Sequence, residues 1–237
     1  MTDERKKELR DNYLRVAEKI EAAKQRRGGA GEVTLLAASK TMPAEDLLYL
    51  CQECGVMLFG ENRAQEFTAK YDAVYSSGAR MDFIGHLQTN KVKYVVGRAG
   101  MIHTLDSEKL AAEINRQAES LSIVQDVLIE VNVGGEESKT GISAPEAEYL
   151  ADVLGTYKSL NLRGMMAMTP VCEKNSDFLK YFAESYRIFI DIFEKRTHNI
   201  GEVLLSMGMS DSYECAIEEG ANIVRVGTSL FGTRDSK

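Results

Sequence analysis

The fold is decided by one stretch of the chain, Val33-Thr-Leu-Leu-Ala-Ala-Ser-Lys40-Thr-Met-Pro43. Six apolar or small residues lead up to Ser39 and Lys40, and Pro43 then opens an amphipathic segment over 44–54. An apolar run of this length, followed by a polar turn and a helical pattern with proline at its start, predicts a short buried strand, a tight turn and a helix. The remaining chain has to show whether this unit is repeated.

Lys40 is the unexpected residue in this stretch. A lysine at the mouth of a buried strand lies partly in a medium of low dielectric constant, which favours the neutral amine over the ammonium ion. A neutral amine is a nucleophile towards carbonyl groups and can form a Schiff base. The structural alternative is a lysine that extends its ammonium group to the surface. Both interpretations of Lys40 stay open at this point.

The strand–turn–helix pattern continues to the end of the chain. Seven further segments are short and apolar on both faces, as expected of buried strands: 56–59, 81–84, 101–104, 127–133, 162–168, 203–206 and 223–226. Helical patterns occupy 3–27, 44–54, 61–76, 88–97, 107–120, 144–158, 176–196 and 211–219. Strands that are apolar on both faces and alternate with helices indicate a parallel sheet covered on both sides.

Eight strand–helix units in 237 residues predict an α/β fold, a TIM (β/α)8 barrel. The alternative is an open flavodoxin- or Rossmann-like sheet. That alternative is disfavoured because the first strand–helix turn, 39–43, lacks the GxGxxG fingerprint. No linker rich in proline, glycine or serine divides the chain, so we expect a single domain over 1–237 with an extra N-terminal helix at 3–27.

Composition excludes several classes of function. The 29 basic and 36 acidic residues give a net charge of −7, which argues against a general nucleic-acid binder. No apolar run approaches the length of a membrane span, and the charged N-terminus does not resemble a signal peptide, so we expect a cytoplasmic protein. The four cysteines are expected to be reduced, with Cys51 and Cys54 packing inside a helix. The three histidines show no metal-ligand spacing, and no metal site is predicted.

Chemistry in such a barrel is expected at the C-terminal ends of the strands. After the seventh strand, Ser210 and Asp211 open a helix, and Asp211 and Glu214 have the spacing of a capping box. Gly227-Thr228-Ser229 follows the eighth strand, and backbone N–H groups in these two loops commonly bind phosphate in barrels. Ordinary capping and turn formation is the alternative. Arg225 could either face inward towards a ligand or form a salt bridge within the barrel.

Two further features allow more than one interpretation. Glu61 could act as a general base, but its place at the start of a predicted helix favours a solvated glutamate. Five methionines could line a flat ligand, although methionine more often fills irregular space in a core. These methionines are at positions 165, 166, 168, 207 and 209.

Six motifs together resemble one known family, the pyridoxal phosphate homeostasis proteins, which are relatives of the alanine racemase N-terminal barrel. The resemblance covers residues 3–234 and is specific in combination, although no single motif is. In chain order the motifs are Ser39-Lys-Thr41, Phe59-Gly-Glu-Asn-Arg-Ala-Gln-Glu66, Phe83-Ile-Gly-His-Leu-Gln-Thr-Asn-Lys91, Gly164-Met-Met-Ala-Met168, Leu205-Ser-Met-Gly-Met-Ser-Asp211 and Val224-Arg-Val-Gly-Thr-Ser-Leu-Phe-Gly232.

The resemblance implies that pyridoxal 5′-phosphate (PLP) is held as a Schiff base on Lys40. Five other residues would surround the cofactor, and their implied roles differ. Ser210 and the backbone of Gly227 and Thr228 would hold the phosphate, Arg225 would face the pyridine nitrogen, and Asn62 would lie near the ring. The family also implies intracellular storage and transfer of PLP without catalysis, so no catalytic residue is assigned.

Two other functions remain as alternatives to a PLP carrier. A small PLP-dependent racemase or lyase would use the same lysine, and a cofactor-free sugar-phosphate isomerase would use the phosphate loops alone. A charged arginine at the pyridine nitrogen weakens the ring as an electron sink, which favours the carrier. The chain ends soon after Arg234, without the β-rich domain of alanine racemases. We therefore expect a monomer that transfers PLP to PLP-dependent apo-enzymes.

Overall fold

Eight parallel strands form a closed barrel in the computed structural model, which describes residues 1–29, 31–136, 140–170, 172, 174–193 and 203–232. Each strand pairs with the next in sequence, and β8 pairs with β1 to close the ring. From β1 to β8 the strands are Thr34–Ala38, Leu58–Glu61, Arg80–Phe83, Met101–Leu105, Gln125–Asn132, Leu160–Met168, Leu204–Ser206 and Ile223–Val226. The predicted TIM barrel is confirmed, and the open-sheet alternative is wrong.

Helices cover the outside of the barrel. In the described part of the chain they are, from α1 to α9, Asp3–Arg26, Ala44–Cys54, Ala64–Ser76, Val92–Val95, Glu108–Ser120, Ala144–Leu154, Asn175–Phe193, Tyr213–Glu218 and Thr228–Phe231. A 3₁₀ turn, Thr89–Lys91, precedes α4. The extra N-terminal helix α1 begins where the Thr2 hydroxyl accepts a hydrogen bond from the Arg5 N–H, an N-cap interaction. No helix among the described residues is long and apolar enough to cross a membrane.

The second strand lies two residues later than predicted. Helix α2 ends at Gly55, which adopts the left-handed conformation with φ of 73°, and the Val56 N–H bonds back to the Leu50 carbonyl. This cap uses Val56, which the apolar pattern assigned to the strand. Glu61 consequently belongs to β2, and the predicted helix over 61–76 begins at Ala64.

Two other helix predictions, and one helix that the pattern did not predict, need comment. The capping box at Asp211 is wrong because α8 begins at Tyr213, and the Glu214 carboxylate instead pairs with Lys19 and Arg26 of α1, at 2.9 and 3.1 Å. Helix α9 was not predicted, since four residues are too few to show periodicity. The predicted end of the helix over 176–196 and His198 lie outside the described residues.

The barrel interior combines apolar layers with a polar region near the centre. Every second strand residue points into the interior, where apolar side chains form two small clusters. One cluster consists of Leu36, Leu58, Ile84 and Ile223, and the other of Met101, Leu128 and Met166. The other strand residues pack outward against the helices in a much larger cluster. Three polar residues are also fully buried, and they occupy the same alternate strand positions as the interior apolar residues. They are Asp82, His103 and Ser206. This polar region leads to the C-terminal ends of the strands, where the pocket lies.

Candidate functional site

A pocket of about 350 Å³ opens at the C-terminal ends of the barrel strands. All six residues that the resemblance implies line this pocket: Lys40, Asn62, Ser210, Arg225, Gly227 and Thr228. The remaining lining residues are Ala38, Ile84, Met166, Met168, Met209 and Asp211. Three of the five methionines therefore face the pocket, while Met165 and Met207 are fully buried in the core.

Lys40 is half-buried in the turn that follows β1. On one side of it, the Ser39 N–H donates to the Gly60 carbonyl at 2.9 Å, which continues the pairing of β1 with β2. On the other side, Thr41 has φ of 68°, an unfavourable conformation for a β-branched residue. The Thr41 N–H donates to the Glu66 carboxylate at 2.7 Å. The turn is thus held from both sides, and it places the lysine at the pocket.

A buried ion-pair cluster lies directly behind this turn. The Lys70 ammonium donates to the Glu61 carboxylate at 2.8 Å, to the Ser39 carbonyl at 3.0 Å and to the Glu66 carboxylate at 3.3 Å. Glu61 is 0 % exposed, so the prediction of a solvated glutamate is wrong. Burial raises the pKa of Glu61 by more than the ammonium of Lys70 lowers it. The Glu66/Lys70 spacing of four residues was the only sequence signal for this cluster, and it suggests a surface pair.

The loops after β7 and β8 meet at Ser210. Its hydroxyl oxygen accepts hydrogen bonds from the N–H groups of Gly227 and Ser229, each at 3.1 Å. The Ser229 hydroxyl in turn donates to the Ser210 carbonyl at 3.1 Å. Because the Ser210 oxygen acts as an acceptor in both of these bonds, its own proton is available to an anionic ligand. The two loops therefore meet at one hydroxyl group, and phosphate binding there stays a prediction.

Arg225 faces inward, which decides between its two predicted orientations. Its guanidinium group is buried and donates to the Ser206 hydroxyl at 2.9 Å and to the Ala167 carbonyl at 3.2 Å. Burial lowers the pKa of Arg225 to about 10, and the nearby Glu130 opposes that decrease. The group therefore remains a cation at neutral pH, and it lines the pocket without an ion-pair partner among the described residues.

A chain of hydrogen bonds runs from Arg225 through the barrel interior. Ser206, which accepts from Arg225, lies 3.3 Å from Nδ1 of His103, and Nε2 of His103 lies 3.0 Å from Asp82. Arg80 donates to the same Asp82 carboxylate at 2.9 Å. Burial lowers the pKa of His103, and the bond to Asp82 offsets only part of this effect. A neutral His103 with its proton on Nε2 satisfies both neighbours, donating to Asp82 and accepting from Ser206.

Replacing His103 with glutamine is expected to flatten the dependence of stability on pH. Because the pKa of His103 is lowered in the folded protein, the unfolded chain binds a proton more readily once the pH falls below 6.5, the ordinary value. The wild type should therefore lose more unfolding free energy than the variant between about pH 8 and about pH 5. Urea denaturation at several pH values measures this difference, and equal losses would contradict a buried neutral His103.

Asn62 reaches the pocket because Gly85 allows its backbone to approach closely. A Cβ atom on Gly85 would lie 2.1 Å from the Asn62 carbonyl oxygen, so no other residue fits there without moving the backbone. The Asn62 N–H donates to the Glu61 carboxylate at 3.3 Å. The loop after β2 is therefore fixed by the segment that follows β3 on one side and by the ion-pair cluster on the other.

Fold and site define a class: a barrel of the alanine racemase type, with a lysine after the first strand and hydroxyl-rich loops after the last two. The family described as "Alanine racemase, N-terminal domain" matches residues 7–235. The chain is 44% identical over 225 residues to the pyridoxal phosphate homeostasis protein of Aquifex aeolicus, covering 94% of this chain and 97% of the relative. The corresponding Escherichia coli K12 protein is 35% identical over 232 residues, covering 96% and 97%. The chain belongs to the family of pyridoxal phosphate homeostasis proteins.

Solved structures agree with this assignment. A crystal structure described as that of an unknown protein from Bifidobacterium adolescentis matches with a TM-score of 0.88 and 34% identity, covering 98% of this chain and 97% of that one. PipY of Synechococcus elongatus, in a structure with PLP bound, matches with a TM-score of 0.78 and 28% identity over 90% and 100% of the two chains. An alanine racemase of Clostridium difficile shares the fold, with a TM-score of 0.71 and 17% identity, over 98% of this chain and 58% of that one.

Proposed function

We propose that this chain binds PLP in the pocket at the barrel mouth and acts as an intracellular carrier of the cofactor. The observation that carries the proposal is the convergence of Lys40, Arg225 and the Ser210 loop on one pocket. Strand β8 pairs with β1, so the loop at Gly227 is next to the turn at Lys40. The name of the curated relatives and the PLP-bound structure of PipY support the same conclusion.

The residues of the pocket fit the chemical groups of PLP. An aldehyde needs an amine, a phosphate needs hydrogen-bond donors, and a pyridine nitrogen needs a polar partner, and the pocket offers Lys40, the Ser210 hydroxyl and Arg225. There is room beside the phosphate loop, since a Cβ added to Gly227 would meet only Ala38, at 3.4 Å from its carbonyl oxygen. A cavity of about 350 Å³ is in the range of small-molecule sites.

Each residue then has a defined task. The Lys40 amine would hold the aldehyde carbon of PLP covalently, with release of water. The Ser210 hydroxyl would donate to the phosphate together with the backbone N–H of Thr228, while the Gly227 N–H, which donates to Ser210, would orient that hydroxyl. The Arg225 cation would orient the ring and would disfavour protonation of the ring nitrogen, which would limit electron withdrawal by the ring. Asn62, which follows β2 directly and lines the pocket, would lie near the ring.

This arrangement favours storage and transfer over catalysis. The buried charge of Arg225 weakens the electron sink on which PLP-dependent catalysis depends. We propose that the chain acts as a single cytoplasmic domain over 1–237, as a monomer, and that PLP-dependent apo-enzymes receive the cofactor.

A racemase or lyase would exchange the α-hydrogen of its amino acid with solvent. In deuterated water we expect no such exchange for any of the common amino acids, and exchange that depends on Lys40 would contradict the carrier.

Replacing Ser210 with alanine is expected to weaken PLP binding about tenfold, because a hydrogen bond to a charged phosphate is lost. Binding of pyridoxal, which lacks the phosphate, should change much less. Titrations of both compounds against the wild type and Ser210→Ala measure the difference. Equal losses for PLP and pyridoxal would contradict the placement of the phosphate at Ser210.

A further inference from the structure

We propose that the buried Lys70 cluster, formed by Lys70, Glu61 and Glu66, positions Lys40 for covalent attachment of the cofactor. Lys70 itself lines no part of the pocket and acts through its neighbours, so it is a positioning residue. The inference rests on the proposed function, because it concerns the same Lys40 amine. Its evidence is the set of contacts behind the Lys40 turn.

The hydrogen-bonding capacity of the Lys70 ammonium is fully used. An ammonium group has three N–H donors, and Lys70 directs them to one backbone carbonyl and two carboxylates. Only 7 % of the residue is exposed. Burying a charge is costly unless the charge is paired and hydrogen-bonded, and replacing a whole buried ion cluster by well-packed apolar residues is often neutral or stabilising. The placement of a lysine here therefore calls for a role beyond packing.

The cluster holds the backbone on both sides of Lys40. The Ser39 carbonyl, immediately before Lys40, accepts from the Lys70 ammonium at 3.0 Å. The Thr41 N–H, immediately after Lys40, donates to the Glu66 carboxylate at 2.7 Å. Thr41 is held at φ of 68°, which a β-branched residue adopts only under constraint. The Met42 N–H also donates to the Ser39 carbonyl at 3.0 Å and closes the turn, so Glu66 is one of two groups that hold Thr41 at positive φ. Loss of the Glu66 carboxylate would loosen the turn and with it the direction of the Lys40 side chain.

The same cluster holds the end of the second strand. Glu61 accepts the Asn62 N–H with one carboxylate oxygen and the Lys70 ammonium with the other. Burial acts to raise the pKa of Glu66, but the Thr41 N–H and the Lys70 ammonium outweigh it, and the pKa is lowered overall. Glu66 therefore stays ionised at neutral pH and keeps its hold on the turn. One buried cation thus connects two segments that carry pocket residues.

The test compares PLP with pyridoxine 5′-phosphate, which has the same ring and phosphate but an alcohol in place of the aldehyde. Only PLP can bond covalently to Lys40, so the ratio of the two dissociation constants reports on how well the amine is placed. We expect Glu66→Ala to reduce the preference for PLP about tenfold, the equivalent of one hydrogen bond, while binding of pyridoxine 5′-phosphate changes little. Glu66→Gln, which keeps an acceptor for the Thr41 N–H, should restore most of the preference.

Two further variants complete the design. Lys70→Met should reduce the preference at least as much, but it leaves Glu61 buried without a counter-ion, so the deciding variant is Glu66→Ala. Glu113→Ala is the matched control, because Glu113 forms a one-turn helical ion pair with Arg116 on α5. That control should leave the preference unchanged.

The outcomes separate this inference from the proposed function. If the wild type itself shows no preference for PLP over pyridoxine 5′-phosphate, covalent attachment fails and the proposed function fails with it. A wild-type preference that Glu66→Ala retains in full would overturn the positioning role alone. Equal weakening of both compounds, with a lower thermal midpoint, would also overturn it, because the cluster would then serve only to stabilise the fold.

Discussion

Replacing Lys40 with alanine is expected to abolish the covalent attachment of PLP completely while the barrel stays folded. The half-buried Lys40 side chain forms no hydrogen bond or ion pair within the residues that the structure describes, so its removal costs little stability. The phosphate loops and Arg225 remain, and they should retain weak, reversible binding. Absorbance of the Schiff base measures the covalent form, and circular dichroism measures the fold.

The matched control for this prediction is Lys93→Ala, which removes an exposed lysine of α4 outside the pocket. It should leave the Schiff-base absorbance of the protein unchanged. If Lys40→Ala kept that absorbance, another amine would hold the cofactor. If it unfolded the barrel, Lys40 would have a structural role that its surroundings do not indicate.

Replacing Gly85 with alanine is expected to destabilise the protein by about 3 kcal/mol, at the upper end of the usual cost of overpacking. The added Cβ would lie 2.1 Å from the Asn62 carbonyl oxygen and 2.6 Å from its Cα, and neither backbone atom can move without shifting β2. PLP binding should weaken as well, because Asn62 lines the pocket. Urea denaturation gives the loss of stability, and a PLP titration gives the loss of affinity.

Gly155→Ala is the control for Gly85→Ala. Gly155 follows α6 with φ of −60°, and an added Cβ would come no closer than 3.3 Å to the Asp152 carbonyl. The free energy of unfolding of the Gly155→Ala variant should differ from that of the wild type by less than about 1 kcal/mol. A Gly85→Ala variant as stable as Gly155→Ala would contradict the close approach between β2 and β3.

The sequence predicted the barrel and the location of the pocket, for one physical reason. Strands that are apolar on both faces and alternate with helices must form a covered parallel sheet, and the C-terminal ends of parallel strands meet at one rim. Polar and glycine residues just after the strands, such as Lys40, Ser210 and Gly227, therefore had to come together. Their roles towards PLP came from the resemblance to a known family and stay predictions.

The interior polar residues could not be predicted in the same way. His103 appeared isolated because its partners, Asp82 and Ser206, are on other strands. Glu61 and Lys70 fit a solvated helix in the local pattern, yet the fold buries both charges between β1, β2 and α3. Whether a charged group is solvated or paired depends on tertiary neighbours, which local periodicity does not encode.

The most direct test of covalent attachment at Lys40 is peptide mapping after reduction. Wild-type protein is incubated with PLP and treated with sodium borohydride, which delivers hydride to the carbon of the carbon–nitrogen double bond and fixes the adduct as a stable amine. The protein is then digested, and the peptides are measured by mass spectrometry. We predict one stoichiometric pyridoxyl group on the peptide that contains Lys40. An adduct found only on exposed lysines such as Lys93, or no adduct at all, would contradict the account.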